Sequence, residues 1–431
     1  VSAGQRQIYE MLLDSQYWMP ARMQEFQRSQ LSQLLVHAQR NVPFYRDRLA
    51  PIVRADRSID WDRWLEIPVT TKDDLRDNGE DMISAVHPPG HGGFTRGFTS
   101  GSTGTPVSRL KNELFRNANR AAGLRMATWM EVDPTEAIID FGRAGENAKR
   151  EGHDHSVSSS LPGWYCEAPG PRVAAERIIS LSRAFELLET YGIRRIHSVA
   201  IHLEILAAEN LRRPRPLQMS GLLSYGMETT NDQRDLLRKS FGAETWCVYS
   251  TEEVGQVAAQ HAPGGSYLIN SELVLVEILD AGGKPCPPGV AGRVVMTPFF
   301  SSAQPLIRYA QGDFASFAEP SGCGRTLPTL NAIIGREQPI LRFPGFEDRY
   351  PVFRHQLIAA ALKCRNYQIA QIGPLALELR YVPLPGSAAD HEEAIKLVGL
   401  TVPGAVTVTV RAMDEIPLRG NKPQRIVRDL T

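Results

Sequence analysis

The chain holds 431 residues, 42% apolar and 22% charged, with 48 Lys+Arg against 48 Asp+Glu. That composition is globular, and at about 150 residues per domain the length supports a sizeable core and more than one domain. A formal net charge of zero with no basic stripe argues against nucleic acid, and the lack of an apolar run near the ~20 residues that cross a bilayer argues against a membrane span.

The five cysteines, Cys166, Cys247, Cys286, Cys323 and Cys364, are scattered, odd in number and free of any C-x-x-C pair. A disulfide framework is not expected, and a reducing cytoplasm is the expected setting. No secretory signal is read at the start, and the opening at Val1 rather than Met suggests that a short native segment precedes it.

In chain order, Gln5 to Leu13 and Met23 to Arg40 place apolar residues at helical spacing, and Pro43-Phe44-Tyr45 ends the pattern. Ile67 to Leu75 reads as a turn entering a helix, with Thr71 as N-cap and Asp74 as the acid of a capping box. From Phe94 onward short apolar strands alternate with amphipathic helices. Ala137 to Phe141, Ile193 to Val199 and Thr245 to Tyr249 read as strands; Arg177 to Tyr191 and Asp232 to Phe241, the latter stopped by Gly242, read as helices. This alternation predicts an α/β core with largely parallel strands.

From about residue 266 the texture turns β-rich, with Glu272 to Leu279, Gly292 to Thr297 and Pro305 to Tyr309 as strands between Gly and Pro breaks. The final stretch alternates strand (Leu375 to Val382), helix (His391 to Val398) and strand (Val406 to Arg411). The expected organisation is a large N-terminal domain over 1–335, comprising a helical segment, the α/β core and the β-rich subdomain. A small α+β C-terminal domain follows over 336–431, with the boundary at Gly335-Arg336.

Five stretches carry candidate chemistry. Thr99-Ser100-Gly101-Ser102-Thr103-Gly104-Thr105-Pro106 sets five hydroxyls around two glycines, a loop whose backbone N–H groups suit a polyphosphate. It lacks the Lys of G-x-x-x-x-G-K-[ST], so positive charge must come from elsewhere, and alone it also reads as a Ser/Gly surface turn. Tyr249-Ser250-Thr251-Glu252-Glu253-Val254-Gly255 offers a ring to stack on a base and a carboxylate for Mg²⁺, or an ordinary strand end with solvated acids. Arg308 to Asp313 ends in an Asp after a Gly turn, able to accept ribose hydroxyls or simply to cap a turn. Ile334-Gly335-Arg336 is a candidate hinge or a plain interdomain turn. Pro417 to Arg425 holds Lys422, a candidate phosphate-side cation or a solvated tail charge.

Together these stretches resemble the adenylate-forming enzyme superfamily, and within it the phenylacetate–coenzyme A ligase branch. The octamer resembles S-S-G-T-T-G-x-P, Tyr249 to Gly255 resembles Y-G-x-T-E-x-G, and Arg308 to Asp313 resembles R-Y-R-T-G-D. Gly335-Arg336 is similar to the hinge G-R, and Lys422 to Arg425 to K-x-x-R. Pro43 to Arg46 and Pro68 to Leu75 resemble N-terminal segments of that branch, so the likeness runs nearly the whole chain. There are departures: Ser250 for Gly, Glu252 for Thr, Ala310 and Gln311 for Arg and Thr, Asn421 for Gly and Gln338 for Asp. Ser224-Tyr225-Gly226-Met227-Glu228 resembles the adenine-flanking G-G-E stretch only loosely.

The resemblance implies an AMP-forming acid–thiol ligase using ATP and Mg²⁺: a carboxylic acid, expected to be aromatic, becomes an acyl-adenylate and passes to coenzyme A. A carrier-protein thiol or an amine is the alternative acceptor, and a nucleotide-binding member without turnover the further alternative. Thr99, Ser100, Gly101, Ser102, Thr103 and Gly104 would hold phosphates, and Glu253 would hold Mg²⁺. Gly226, Met227, Glu228, Tyr249, Ser250 and Thr251 would surround the adenylate, Asp313 the ribose, and Arg336 the ribose or phosphate. Lys422, on a mobile C-terminal domain, would bridge the attacking carboxylate and the ribose-side oxygen. Phe141, Val199, His202 and Tyr225 are the expected acyl-pocket residues, with Arg143 or Glu252 as further polar contacts. Zinc is not expected: His261 and Cys323 alone fall near the branch's zinc positions, with Ser321 where a second Cys would stand. His153-Asp154-His155 offers two ligands at most where a structural site takes four.

Overall fold

The computed structural model describes residues 4–98, 108–142, 153–158, 161–176, 179–226, 229–331, 333, 335–336, 341, 343–344, 353, 355–384, 386–400, 402–416, 418–419, 422–423 and 426–429. Two helices open the chain, α1 (Gln5–Ser15) and α2 (Pro20–Asn41), the second started by Pro at its first position. After α3 (Arg46–Leu49), α4 (Lys72–Asp77) carries the expected capping box. Asp74 N donates to Thr71 Oγ1 at 3.1 Å while Thr71 N donates to Asp74 Oδ2 at 2.8 Å.

β1 (Phe94–Phe98) and β2 (Ser108–Asn112) pair antiparallel from Phe94↔Asn112 to Phe98↔Ser108, and α5 (Glu113–Trp129) follows. Among the described residues the main sheet has nine strands. They include β3 (Ile138–Gly142), β4 (His155–Ser158), β5 (Arg172–Glu176), β6 (Arg195–Ser198), β7 (Gly221–Tyr225), β8 (Thr245–Thr251), β9 (Gly255–Gln260) and β10 (Tyr267–Ile269), with β14 (Thr329–Leu330) from further on. The run β5-β3-β6-β7-β8 is parallel, as the alternation predicts; β4 at one edge and β9, β10 and β14 at the other are antiparallel. Three helices intervene: α6 (Leu181–Thr190), α7 (Ala200–Asn210) and α8 (Asn231–Phe241). α6 starts later than the Arg177 expected, because Ser180 caps it by accepting from Arg183 N at 3.2 Å. Gly242 ends α8 in the left-handed conformation, φ 66°.

Register fixes the two faces of this sheet, since paired residues point the same way. One face carries the rung Arg172–Ile138–Arg195–Gly221 and, two residues on, Asp140–His197–Leu223–Trp246. The alternate residues Val173, Ile139, Phe141, Ile196 and Leu222 pack with Phe185, Leu203 and Phe241 of α6 to α8 in one buried cluster. On the first face Met126, Trp129 and Met130 at the end of α5 meet Leu223, Trp246 and Val248. Helices on both faces bury the parallel strands from both sides.

The β-rich segment is a sheet of β11 (Val274–Leu279), β12 (Gly292–Pro298), β13 (Tyr309–Ala315) and β15 (Gly335–Arg336), all antiparallel. Here the structure corrects two expectations. Pro305 to Arg308 is not strand: the strand begins at Tyr309 because Arg308 sits at φ 49° with its guanidinium anchored on the Leu65 carbonyl (3.0 Å), the Ile67 carbonyl (2.6 Å) and Glu277 (3.3 Å). Nor is Gly312 in a terminal turn. It lies inside β13 at φ 98°, where the pairing jumps from Val295↔Ala310 to Arg293↔Phe314, a bulge just before Asp313.

The last part builds α9 (His355–Leu362), β16 (Cys364–Gly373), β17 (Ala376–Pro383), α10 (His391–Gly399), β18 (Thr407–Ala412), the short pair β19 (Leu418–Arg419) and β20 (Lys422–Pro423), and β21 (Ile426–Arg428). Its sheet runs β18-β17-β16-β21, and Ile358, Leu362, Tyr367, Ile369, Leu379 and Val398 form a core of their own with other residues after 340. Among the described residues no helix is long and apolar enough to cross a membrane.

Candidate functional site

Two of the candidate motifs, Tyr249 to Gly255 and Arg308 to Asp313, meet near the end of the parallel strand β8. β8 runs through Tyr249, Ser250 and Thr251, and the chain turns back at once into β9. Thr251 Oγ1 closes the turn by accepting from Val254 N at 2.9 Å. Gly255 completes it at φ 88°, and a Cβ there would lie 1.9 Å from Asn119 Oδ1, so only glycine fits against α5. Asn119 Oδ1 in turn accepts from Gln256 N at 2.6 Å.

The turn holds Glu252 and Glu253 against the β1–β2 hairpin. Glu252 pairs with Lys111, while Glu253 is 4% exposed and its carbonyl accepts from Arg109 Nε at 3.3 Å. Thr99 to Pro106 lies outside the described residues; β1 and β2, which flank it in sequence, pair up to Phe98↔Ser108, and Arg109 of β2 touches Glu253. Arg109 went unread in the sequence. It is fully buried, and its other nitrogens donate to the Gln304 and Leu110 carbonyls and to Ser301 Oγ. Burial pushes its pKa down to about 10, which still leaves it a cation at neutral pH. A single Arg in a short strand carries no periodic signal that could have marked it.

Tyr249 and Asp313, 64 residues apart, meet directly: the Tyr249 hydroxyl donates to Asp313 Oδ2 at 2.7 Å, and both residues are buried. Asp313 pairs across the sheet with Arg336, so the backbones of these two motifs also adjoin. Gly226 follows Tyr225 at the end of β7 with φ 75°. Met227, Glu228, Arg143 and Gln338 lie outside the described residues. Lys422 is in β20, paired with Arg419.

The expected acyl-pocket residues divide between the two faces. Phe141 is wholly buried on the α6–α8 side, Val199 is the N-cap of α7, and His202 lies in the first turn of α7 with its ring 5.0 Å from Phe141 and Nδ1 2.9 Å from Ser198 Oγ. The expected strand end at Val199 to His202 is therefore a helix start, and strand alternation turns Phe141 away from the opposite face. Tyr225 is on that opposite face, its hydroxyl donating to Asp140 Oδ1 at 2.7 Å.

A cavity of about 620 Å³ opens instead between α5 and the sheet, and none of those four residues lines it. Leu124, Ala127 and Met130 of α5 face Leu223, Trp246 and Val248 of the sheet across it. The size falls in the range of about 300–1,000 Å³ typical of small-molecule sites. Of the metal candidates, Asp154 accepts from Arg183 Nε and bonds His155 Nδ1, both at 2.8 Å, and these partners lower its pKa. No group of three His, Cys, Asp or Glu able to hold a metal occurs among the described residues.

No protein-family profile matches the chain. In sequence it is similar to the phenylacetate-coenzyme A ligase of Thermus thermophilus, 25% identical over 366 residues that cover 81% of this chain and 78% of that protein. It is equally similar to the Pseudomonas putida enzyme of the same name, 25% over 364 residues, 80% and 76% of the two chains. In structure it is similar to 2-hydroxyisobutyryl-CoA ligase in an open conformation with 2-HIB-AMP and CoA, with a TM-score of 0.68 and 22% identity over 96% of this chain and 95% of that one.

Proposed function

We propose that this chain, a relative of the phenylacetate–coenzyme A ligases with the fold of the adenylate-forming enzymes, is an ATP-dependent acid–thiol ligase. In the first half-reaction an oxygen of the substrate carboxylate attacks the α-phosphorus of ATP. The bond to the β-phosphate oxygen breaks, and pyrophosphate leaves. In the second, the thiol of coenzyme A loses its proton and attacks the acyl carbon, and AMP leaves with the electron pair. The work is positioning and charge stabilisation.

The observation that carries this reading is the meeting of distant motifs at one strand edge: Glu253 on the stem of the Ser/Thr/Gly loop, and Tyr249 on Asp313 beside Arg336. Thr99, Ser100, Ser102 and Thr103 would take the phosphates, and Tyr249 and Gly226 would flank the adenine. Asp313 would accept from the ribose hydroxyls, with Arg336 close by. Glu253 is 4% exposed and its carboxylate receives no hydrogen bond from any described residue, so its lone pairs suit a Mg²⁺ brought with ATP. Bound there, the ion would neutralise phosphate charge. Lys422 would approach the attacking carboxylate from a C-terminal domain beginning near Gly335-Arg336, a division supported by the separate core of that segment. The acyl group would lie in the cavity under α5, whose apolar walls fit an aromatic acid. We place the enzyme in the cytoplasm, where its five cysteines, none in a disulfide, would stay reduced.

Pyrophosphate release, measured over a panel of carboxylic acids and then with coenzyme A, an amine or a carrier protein added, tests the reading. Acid-dependent release followed by a coenzyme A thioester is expected. Thioester only on a carrier protein, or only amide, would replace the acceptor, and ATP binding without release under any acid would leave a nucleotide-binding protein.

A further inference from the structure

The cavity under α5 is not uniformly apolar. Its upper end reaches Val248 and Gln256, next to the strand edge where the adenylate would form. Its lower end lies on the rung Arg172–Ile138–Arg195–Gly221, four residues down β7 from Tyr225. At ~3.3 Å per residue that is about 13 Å, the length of a ring with substituents at opposite ends.

The lower end is built of donors. Arg195 is neutralised, its Nε donating to Glu136 Oε2 at 2.9 Å and its Nη2 to the Glu131 carbonyl at 3.0 Å. Arg172 is not: among the described residues it forms no ion pair, and its one hydrogen bond runs from Nη2 to the Pro134 carbonyl at 3.2 Å. Its Nε is buried without a partner, as is Trp246 Nε1 in the same wall. His197 lies between them, held neutral because burial and the two guanidinium groups push its pKa down to about 3, so one ring nitrogen remains a donor. No described residue that lines the cavity is acidic, and the remaining cation, Arg120 on α5, is exposed. Glu136, the partner of Arg195, acts on Arg172 only at a distance; a half-buried guanidinium with no carboxylate bonded to it is costly, and an anion at this spot would relieve the cost.

We propose that the acid this protein takes carries a second carboxylate at the end remote from the activated one, received by Arg172 with Trp246 and His197 beside it. This rests on the ligase reading and deepens it: the apolar middle of the cavity would hold an aromatic ring, and the far end would select dicarboxylic over monocarboxylic aromatic acids. Arg172 is then a specificity determinant remote from the reacting atoms.

The test compares para-linked aromatic dicarboxylic acids with their monocarboxylic analogues, by pyrophosphate release and by calorimetric binding to the unliganded protein. The wild type is expected to favour the diacid by about 10- to 100-fold in both readouts, the scale of one hydrogen-bonded charge pair. Arg172→Leu should abolish that preference while leaving the monoacid within about threefold, and Arg172→Lys should restore part of it. Trp246→Phe, which keeps the ring, should lower the preference without removing it. Equal use of the two acids by the wild type, or equal losses for both acids in Arg172→Leu and Trp246→Phe, would overturn the proposal. Diacid-selective binding without pyrophosphate release would instead keep the subsite and sink the ligase reading.

Discussion

Arg125 and Glu272, both fully buried, form a two-pronged ion pair at 2.7 and 2.9 Å; Arg125 also donates to the Leu12 carbonyl and Asn270 Oδ1, and Glu272 accepts from Ser15 Oγ. One cluster of charges thus ties α1, α5 and the entry to β11. Removing one charge leaves the other buried and unpaired, so Glu272→Gln should lower unfolding stability by about 3 kcal/mol or more, read from urea midpoints. His197 gives a pH signature. Its folded pKa near 3 lies below the ~6.5 of an unfolded histidine, so below pH 6.5 the unfolded chain binds the extra proton and stability falls with pH. At pH 5 the loss attributable to it is about 2 kcal/mol relative to pH 7. Urea melts at both pH values should show that difference in the wild type and lose it in His197→Gln.

Elements were legible where local chemistry decides them. The Thr71–Asp74 box marks α4, Gly242 stops α8, and alternating apolar runs mark β3, β6 and β8. Two of the longer helices were not. α5 buries Ala118, Ala121, Ala122 and Arg125, small or charged residues that blur its apolar stripe. Only Val199 separates the end of β6 from the start of α7, so the first turn of α7 reads as the end of the strand. The bulge at Gly312 was likewise hidden, because a glycine inside a strand and one in a terminal turn look the same in sequence. The turn between β8 and β9 supports a sharp prediction. Gly255→Ala forces a Cβ onto Asn119 at φ 88°, so it should destabilise by about 2–4 kcal/mol. It should also loosen Glu252 and Glu253; pairing it with Asn119→Ala, which removes the clash but not the backbone strain, should recover part of the stability in the same melts.

At the scale of the whole molecule, the proposed ligase would combine a phosphate loop without its own lysine, a metal-side acid, a ribose-side acid and a remote Lys422. Spacing alone could not say which of these meet, because sheet register brings them together: Tyr249 reaches Asp313 across two sheets, and Arg109 carries the loop stem to Glu253. The cationic floor of the cavity escaped for the same reason, since Arg172, Arg195 and Trp246 come from three strands and share no motif. In the proposed reaction the chain would adenylate an acid with charge lent by Lys422. The decisive measurement is the single-turnover rate of acyl-adenylate formation in wild type and Lys422→Ala, with ATP affinity measured in parallel. The rate should fall on the order of 10³-fold in the variant with ATP binding retained; adenylation at a near wild-type rate would exclude Lys422 from the reaction.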